Sequence, residues 1–373
     1  QTMTHLIARF LTIVAAFALI TTAFAGATAF AAEDQDGSGA VYTQTNAASG
    51  NAVLAFRRAD DGTLTAAGSY PTGGLGSGVG LGSQGAVTLS QNGRWLFVVD
   101  AGSSDIATFA VGDGALTLVG RTASGGTNPI SVTTSGKTVY ALNAGAPANV
   151  SGFSIGHEGD LSPIVGSTRT LSGSGPAQVS FTSSGRALVV TMKASSTIST
   201  IVVDEDGVAG APHSYASSGS TPFGFAAGRH GEIFVTEAAG APAGLSATSS
   251  YRIANDGTLT LVSPSVGTTQ MAACWAAVSK DGRFVYTANA ASDSISLYAV
   301  DRDGAITLSE GQAAHATGTH PLDLAMSENG RFLYVLQSFT HSIGAYRVAA
   351  DGSLTAVAGA TNILMGAGGL AAR

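Results

Sequence analysis

Short alternating runs of apolar and polar residues recur along this chain at a nearly fixed period. An acidic residue, a glycine and then an apolar–polar alternation occur together seven times, and successive glycines lie 45 to 52 residues apart. The seven glycines are Gly62, Gly114, Gly159, Gly207, Gly257, Gly304 and Gly352. A repeat of about 40–50 residues is typical of the blades of a β-propeller.

A second glycine turn lies earlier in each repeat, between two apolar runs. It occurs six times, as Asn92-Gly93-Arg94, Ser135-Gly136-Lys137, Ser184-Gly185-Arg186, His230-Gly231-Glu232, Asp281-Gly282-Arg283 and Asn329-Gly330-Arg331. Such pairs are typical of hairpins, because glycine adopts a positive φ without a steric penalty. Each repeat therefore predicts four antiparallel strands, and the chain as a whole predicts an all-β, seven-bladed β-propeller.

The absent seventh copy of this second turn indicates how the ring closes. The first repeat begins directly at its second strand, Ala40-Val41-Tyr42-Thr43, and the last residues, 369–373, resemble an innermost strand. Pairing these two segments would complete the first blade and remove two exposed strand edges. We therefore expect one domain over residues 32–373, closed by its C-terminal strand.

The N-terminal residues resemble a secretory signal. A charged start is followed by an uncharged apolar run over residues 10–24 and by small residues up to Ala32. This order predicts a signal peptide over residues 1–31, and cleavage after Ala31 would leave a secreted protein, periplasmic or extracellular, with no membrane attachment. An uncleaved anchor is the alternative, because residues 10–32 are just long enough to span a bilayer.

Charge and cysteine content narrow the possible partners. The net charge is −7, only 11% of the residues are charged, and no basic run occurs, which argues against nucleic acid and anionic membranes as partners. The single cysteine, Cys274, excludes an intramolecular disulfide and a cysteine-based zinc site, and its apolar neighbours predict an inert, packed thiol. No histidine or carboxylate cluster has metal-ligand spacing, so neither a metal nor a cofactor is expected.

Candidate site residues follow from the order of the strands. The loops after the second strands and those entering the first strands share one face of a propeller, the usual place for a ligand. The second strands are predicted to end at or beside Asp100, Asn143, Lys193, Glu237, Asn289 and Gln337. The first strands begin near Gln178, Trp275 and Asp323, and His320 lies in the loop just before Asp323.

Several of these residues also have a purely structural interpretation. Acid and amide side chains at strand ends commonly shape loops through hydrogen bonds. Trp275 is suited to filling the channel as well as to contacting a ligand. Lys193 and Glu237 come from adjacent blades and are able to form an ion pair. His320 and Asp323 form the only combination of a histidine with a carboxylate near the expected channel mouth, and such a pair can act as a general base.

The repeat unit, best seen in residues 321–335, resembles the lactonase family of seven-bladed propellers, relatives of 6-phosphogluconolactonase and carboxymuconate cyclase. The resemblance covers about residues 40–373. It implies Gly-Pro-Arg-His entering one first strand and Asn-Glu at the end of the second strand of that blade. Here Gly175-Pro176 is followed by Ala177 and Gln178, and Lys193 occupies the glutamate position. The family's arginine, histidine and glutamate are thus replaced.

Two functions from different classes remain. A lactone-opening enzyme would use Glu237, Asp323, His320 and Lys193 as catalytic candidates, with ligand contacts from Asp100, Asn143, Gln178, Trp275, Asn289 and Gln337. A non-catalytic propeller would bind a protein, glycan or small ligand through the glycine-rich loop 72–85 and the loop 240–248. An open polar pocket holding Lys193, Glu237 and Asp323 would favour the enzyme. A channel filled by Trp275 and Phe223 would favour the binding protein.

Overall fold

Strands make up nearly all of the regular structure in residues 38–112 and 115–373, which are the residues that the computed structural model describes. The 29 strands form seven separate antiparallel sheets, and the one helical element described is a short 3-10 helix at Ala290–Ser292. The predicted all-β, seven-bladed architecture is thereby confirmed. The predicted signal peptide and the Asp113-Gly114 turn lie outside the described residues.

The first three blades take up residues 39–170. Blade 1 contains β1 (Gly39–Gln44), β2 (Ala52–Arg58) and β3 (Leu64–Pro71). Blade 2 contains β4 (Val87–Leu89), β5 (Trp95–Asp100), β6 (Asp105–Val111) and β7 (Leu116–Ala123). Blade 3 contains β8 (Pro129–Ser135), β9 (Thr138–Asn143) and β10 (Asn149–Ile155), and its outer strand is divided into β11 (Leu161–Pro163) and β12 (Arg169–Thr170).

The remaining four blades repeat the same strand order. Blade 4 contains β13 (Pro176–Phe181), β14 (Ala187–Met192), β15 (Thr197–Val202) and β16 (His213–Ala216). Blade 5 contains β17 (Pro222–Ala227), β18 (Glu232–Glu237), β19 (Ala247–Ile253) and β20 (Leu259–Gly267). Blade 6 contains β21 (Ala273–Val278), β22 (Phe284–Asn289), β23 (Ser294–Val300) and β24 (Ile306–His315). Blade 7 contains β25 (Pro321–Met326), β26 (Phe332–Gln337), β27 (Ser342–Val348) and β28 (Leu354–Thr361), and the last strand is β29 (Gly368–Ala372).

The ring closes as the sequence predicts, through β29. This strand pairs antiparallel with β1, so that blade 1 has the order β29-β1-β2-β3. Tyr42 faces Ala371 in the ladder, and the backbone amide of Arg373 donates to the Ala40 carbonyl at 2.9 Å. The hydroxyl of Thr43 adds a bond to the Gly369 carbonyl at 2.7 Å. Residues at the two ends of the described chain therefore complete a single sheet.

Neighbouring blades are joined by a recurring tyrosine contact. In three blades a fully buried tyrosine of the second strand donates its hydroxyl to the carbonyl of the turn glycine of the next blade. The pairs are Tyr140 to Gly207 (2.7 Å), Tyr286 to Gly352 (2.8 Å) and Tyr334 to Gly62 (2.9 Å). The acceptor glycines have φ values of +80°, +84° and +92°, a region that favours glycine over other residues. The repeated turns thus fix both the hairpins and the packing of blade on blade.

The two faces of the disc differ in their charge. The hairpin turns form one face, called here the turn face, and they carry the acidic residues before the repeat glycines and the basic residues after the second set of glycines. The opposite face, called here the loop face, is built from longer loops rich in glycine, serine and alanine. Most charge therefore lies away from the face on which the candidate residues were predicted. Within residues 38–112 and 115–373, no helix has the length and hydropathy needed to cross a bilayer.

Candidate functional site

The channel is closed on the loop face by residues 81–85, called here the plug. This segment belongs to the glycine-rich loop between β3 and β4 and reaches from blade 2 to blade 6. The side-chain amide of Gln84 donates to the Ala276 carbonyl at 2.8 Å, and the side-chain oxygen of Gln84 accepts from the backbone amide of Ala276 at 3.2 Å. The indole N–H of Trp275 donates to the Ser83 carbonyl at 3.0 Å. Gly224 faces the Gln84 oxygen so closely that a Cβ would overlap it.

Lys193 holds the plug from the side of blade 4. Its ammonium group donates to the Gly82 carbonyl and lies 4.5 Å from the centre of the Phe223 ring. Phe223 in turn packs against Trp275, with ring centres 5.1 Å apart. Burial lowers the pKa of Lys193, because the charged form loses hydration there. The lysine is therefore part of the structure that fills the channel.

Glu237 is also occupied by structural contacts. The buried carboxylate accepts from the Gly219 amide (2.8 Å), the Ser249 hydroxyl (2.6 Å) and the Ser265 hydroxyl (2.7 Å). All of these partners except Gly219 lie in blade 5. The suggested ion pair between Glu237 and Lys193 is wrong, since both groups have other partners and the described ion pairs do not include it.

The polar residues at the ends of the other second strands are buried, and their hydrogen bonds hold the neighbouring loops in place. The Asp100 carboxyl accepts from the Asn51 side-chain amide (2.8 Å) and from the Thr72 hydroxyl (2.7 Å). Burial raises the pKa of Asp100, and a side-chain hydrogen bond with Asp105 raises it further. The side-chain amide of Asn143 donates to the Ser124 carbonyl and to the Asn149 side chain. The side-chain amide of Asn289 donates to the hydroxyls of Ser294 and Ser296. The side-chain oxygen of Gln337 accepts from the Ser342 hydroxyl. These contacts match the structural interpretation of such residues. Their suggested roles as ligand contacts stay predictions.

Gln178 links two innermost strands near the channel axis. Its side-chain amide donates to the Phe225 carbonyl at 3.0 Å, and its oxygen accepts from the Phe225 amide at 2.6 Å. Ser131 makes a comparable link, because its hydroxyl oxygen accepts from the Val179 amide at 3.2 Å, and the same hydroxyl donates to the Gln84 carbonyl of the plug at 2.6 Å. Both polar atoms of the Gln178 side chain are thus paired within the fold.

An open pocket of about 590 Å³ lies beside the plug, on the loop face. Its walls come from the plug and the residues before it, from Trp275 of blade 6, from the innermost strand of blade 7 and the loop after the second strand of that blade, and from residues 365–369, which lead into the closing strand. Trp275, His320 and Asp323 line it. The pocket therefore brings together three of the sequence-predicted site residues, whereas Lys193 and Glu237 are not among its lining residues.

Asp323 provides the buried carboxyl group of this pocket. Its oxygens accept from the backbone amides of Leu324 (2.9 Å) and Gly85 (3.2 Å). Burial raises its pKa to about 7, although the backbone amides, which favour the carboxylate, oppose that effect. The group is therefore present both as acid and as carboxylate near neutral pH.

His320 lies in the wall of the same pocket. Its ring is stacked on Phe339, with centres 4.3 Å apart and planes inclined by 8°. The backbone amide of His320 donates to the Asp293 carboxylate at 2.8 Å. The backbone of His320 is left-handed, with a φ of +48°. Burial lowers the pKa of the imidazole, and the Asp293 charge and a hydrogen bond to the Ala290 backbone partly oppose this effect. No hydrogen bond joins His320 to Asp323 among the described residues.

Several pocket residues were not predicted from the sequence. Phe339 and His341 follow the second strand of blade 7, and Met365 precedes the closing strand. For Phe339 and His341 the available signal was a large ring side chain in a loop otherwise made of serine and threonine, and Met365 had no comparable signal because it lies in an apolar segment. In residues 38–112 and 115–373, no group of three or more histidine, cysteine, aspartate or glutamate side chains is arranged to hold a metal ion.

Solved structures with the same fold extend over almost the whole chain. A putative 6-phosphogluconolactonase from Bacteroides fragilis is 20% identical, with a TM-score of 0.67 and coverage of 90% of this chain and 98% of that one. A periplasmic gluconolactonase from Pseudomonas aeruginosa is 17% identical, with a TM-score of 0.65 and coverage of 89% and 98%. A Lactobacillus plantarum protein is 17% identical, with a TM-score of 0.71 and coverage of 89% and 98%. At these identities the likeness shows the fold alone.

Sequence comparison adds the family. No curated protein matches the chain. Residues 42–133 and 246–363 match the family model described as "Lactonase, 7-bladed beta-propeller". The segment between the two matched ranges contains Ala177, Gln178 and Lys193, so the expected replacement of the family's arginine, histidine and glutamate at these positions stays a prediction. The two ranges together cover more than half of the sequence, and the chain belongs to the family of seven-bladed lactonase propellers.

Proposed function

We propose that this propeller opens a lactone ring in the pocket beside the plug, with Asp323 as the general base. The observation that carries the proposal is the buried Asp323 carboxyl, which lines an open pocket and has a pKa of about 7. A base works best when its pKa is near the working pH. Family membership supports a small lactone as the substrate.

The proposed reaction is a hydrolysis. The Asp323 carboxylate removes a proton from a water molecule as the water oxygen attacks the ring carbonyl. The ring C–O bond then breaks, and the proton passes to the departing alkoxide, which leaves a hydroxy acid. His320 lies in the wall of the same pocket and is assigned a positioning role, because its ring already makes a hydrogen bond to the Ala290 backbone. Lys193 and Glu237 have no role in this step, because their contacts hold the plug and the loops of blade 5.

Proton release by the purified protein tests the proposal with a panel of sugar lactones, alkyl γ-lactones and acyl-homoserine lactones. Asp323→Asn is expected to lower turnover at least tenfold, and His320→Ala to lower it less. Asp303→Asn and His213→Ala remove matched exposed groups elsewhere and should leave turnover unchanged. Equal rates in Asp323→Asn and the parent protein would contradict the role given to this carboxyl.

Turnover should also depend on pH in a defined direction. The base is the carboxylate, so kcat/KM is expected to rise with pH and to level off above about pH 7 to 8, where Asp323 is ionised. The pH profile of the parent protein, measured at low substrate concentration, checks this. A rate that falls through pH 7 would show that the protonated group, rather than the carboxylate, is required.

A non-catalytic binding function is the second candidate, and the filled channel favours it. Gln84, Trp275 and Lys193 close the centre of the disc, where an open polar site was the expectation for an enzyme. If none of the lactones is hydrolysed above the spontaneous rate, the enzyme proposal fails. The loop face would then be studied as a binding surface for a small ligand, glycan or protein.

We also propose that the protein is exported. The support is the charged, apolar and small-residue order of residues 1–31. Mass spectrometry of the protein recovered from a secreting host should give a chain that begins at Ala32. Recovery of the intact N-terminus in the membrane fraction would support the anchor instead.

A further inference from the structure

We infer that the pocket selects neutral lactones with a long apolar substituent, such as an alkyl or acyl chain, over phosphorylated or polyhydroxylated sugar lactones. This inference rests on the proposed lactone hydrolysis and names its substrate class. Four features carry it: the pocket lining, the apolar rim, the contacts that hold this rim and the local charge.

The lining of the pocket is largely apolar. Its larger apolar side chains are those of Leu81, Trp275, Leu322, Leu336, Phe339 and Met365, and its polar side chains are those of Ser83, His320, Asp323, Ser338 and His341. A pocket for a sugar lactone needs polar partners for several hydroxyl groups, because each unpaired buried hydroxyl is penalised. Asp323 already accepts from two backbone amides, which reduces the polar capacity of the pocket further.

The rim of the pocket extends the apolar surface outward. Phe339 is 68% exposed and Met365 is 81% exposed, although both line the pocket. Two more exposed apolar residues, Val79 (67%) and Leu364 (54%), directly precede the pocket residues Gly80 and Met365 in the sequence. Exposed apolar groups gathered around one cavity are typical of a binding surface.

Asn46 holds two parts of this rim in place. Its side-chain amide donates to the Val79 carbonyl at 2.6 Å and to the Gly366 carbonyl at 3.2 Å. Its side-chain oxygen accepts from the Ser77 amide at 2.8 Å. The glycine-rich loop and the segment before β29 are therefore bound to a common residue, so the apolar rim exists before any ligand arrives.

Charge in and around the pocket disfavours an anionic substrate. The lining residues include no lysine or arginine, and the ammonium group of Lys193 is directed to the Gly82 carbonyl and the Phe223 ring. A phosphate or carboxylate on the substrate would meet the Asp323 carboxylate without a cation to balance it. A neutral lactone ring with an apolar tail on Phe339 and Met365 avoids both problems.

The test is a series of lactones of increasing tail length. The rates kcat/KM of γ-butyrolactone, γ-octalactone, γ-decalactone and γ-dodecalactone are compared with those of glucono-δ-lactone and its 6-phosphate. We expect kcat/KM to rise by about threefold for each methylene group that the rim covers, and to be lowest for the phosphorylated lactone. The double variant Phe339→Ser with Met365→Ser should lose at least tenfold more activity on γ-dodecalactone than on γ-butyrolactone. Val165→Ser is the matched control, because this side chain lies between β11 and β12 and is 94% exposed. It should leave the activity on γ-dodecalactone and on γ-butyrolactone unchanged.

The outcomes separate this inference from the proposed function. Hydrolysis that does not depend on tail length, or a preference for glucono-δ-lactone, overturns the substrate class and leaves lactone hydrolysis standing. If no lactone is hydrolysed, the same series is titrated by calorimetry. A dissociation constant that falls with tail length in the parent protein, but not in the double variant, then supports the ligand class without the reaction. The absence of any such trend overturns the inference as well.

Discussion

At the scale of single residues, the Asp323 carboxyl connects the proposed chemistry with the stability of the fold. The group is fully buried, and its hydrogen-bond partners are backbone amides rather than a cation. Its pKa of about 7 in the folded protein lies above 3.8, the usual value of an aspartate carboxyl. The folded state therefore holds a proton that the unfolded chain has already released between about pH 4 and pH 7.

A pH dependence of the free energy of unfolding follows. The contribution of protonated Asp323 to the free energy of unfolding is fully present below about pH 4 and is lost as the pH rises to about 7. The loss amounts to at most ~4 kcal/mol. Asp323→Asn cannot titrate, so its melting temperature minus that of the parent protein should increase from pH 5 to pH 8. Any loss of hydrogen bonding in the variant gives an offset that does not depend on pH. A difference that stays constant over this range would contradict the raised pKa.

The residues of the pocket were only partly predictable. Trp275 and Asp323 were placed near the channel mouth because each follows the start of an innermost strand, and the strand pattern repeats. Phe339 and Met365 belong to loops that do not follow the repeat, so no periodic signal predicts where they lie. The prediction of an ion pair between Lys193 and Glu237 was wrong for a similar reason. The plug that binds Lys193 comes from a loop far from Lys193 in the sequence.

At the scale of elements, the tyrosine contacts between blades explain how identical sheets keep a fixed spacing. In three blades a buried hydroxyl pairs with a turn carbonyl of the next blade, so a turn stabilises both its own hairpin and the neighbouring interface. The glycine at each of these turns has a positive φ. A single glycine thus serves two elements at once.

Tyr286→Phe removes one of these contacts and leaves the ring in place. The Gly352 carbonyl then loses its buried partner, and we expect the free energy of unfolding to fall by about 1–2 kcal/mol. Chemical denaturation of the variant and the parent protein measures this. Tyr215→Phe is a suitable control, because its hydroxyl makes only a long contact of 3.4 Å to Gly257. Equal losses in the two variants would show that the shorter bond adds nothing.

Deletion of residues 366–373 removes β29, and we expect it to be far more damaging. Blade 1 would expose the edge of β1, and the melting temperature should fall by about 10 °C or more, or the protein should aggregate. Ala371→Pro, which removes a ladder amide opposite Tyr42, should act in the same direction with a smaller effect. Met365→Ser, just outside the strand, serves as the control. An unchanged melt after the deletion would mean that the ring does not depend on this closure.

The strand order was predictable because turn glycines and apolar alternation repeat seven times. The closure followed from the one incomplete repeat. The divided outer strand of blade 3 was not predictable, because its interruption near Ser167 depends on a serine that bonds to Gly152 rather than on the periodic pattern. The plug was not predicted either, since its hydrogen bonds link residues 192 positions apart.

At the scale of the whole molecule, Cys274 offers a way to follow opening of the ring. It lies on the innermost strand of blade 6, beside Trp275 and under the plug, and burial raises its pKa to about 12. A thiol reagent needs an exposed thiolate, so native Cys274 should react at least 100-fold more slowly than in the unfolded chain. Labelling in increasing denaturant should follow the global unfolding curve. Rapid labelling of the native protein would show that blade 6 opens by itself.

The closing strand has a consequence for how the protein is made. Blade 1 cannot form its four-stranded sheet until residues 368–372 have left the ribosome, although β1 emerges before any strand of the other six blades. Until then the growing chain carries an unpaired edge through the synthesis of six other blades. Translation halted shortly before the final strand would release an open ring, which a cell would handle as a misfolded product rather than as a slightly shortened protein.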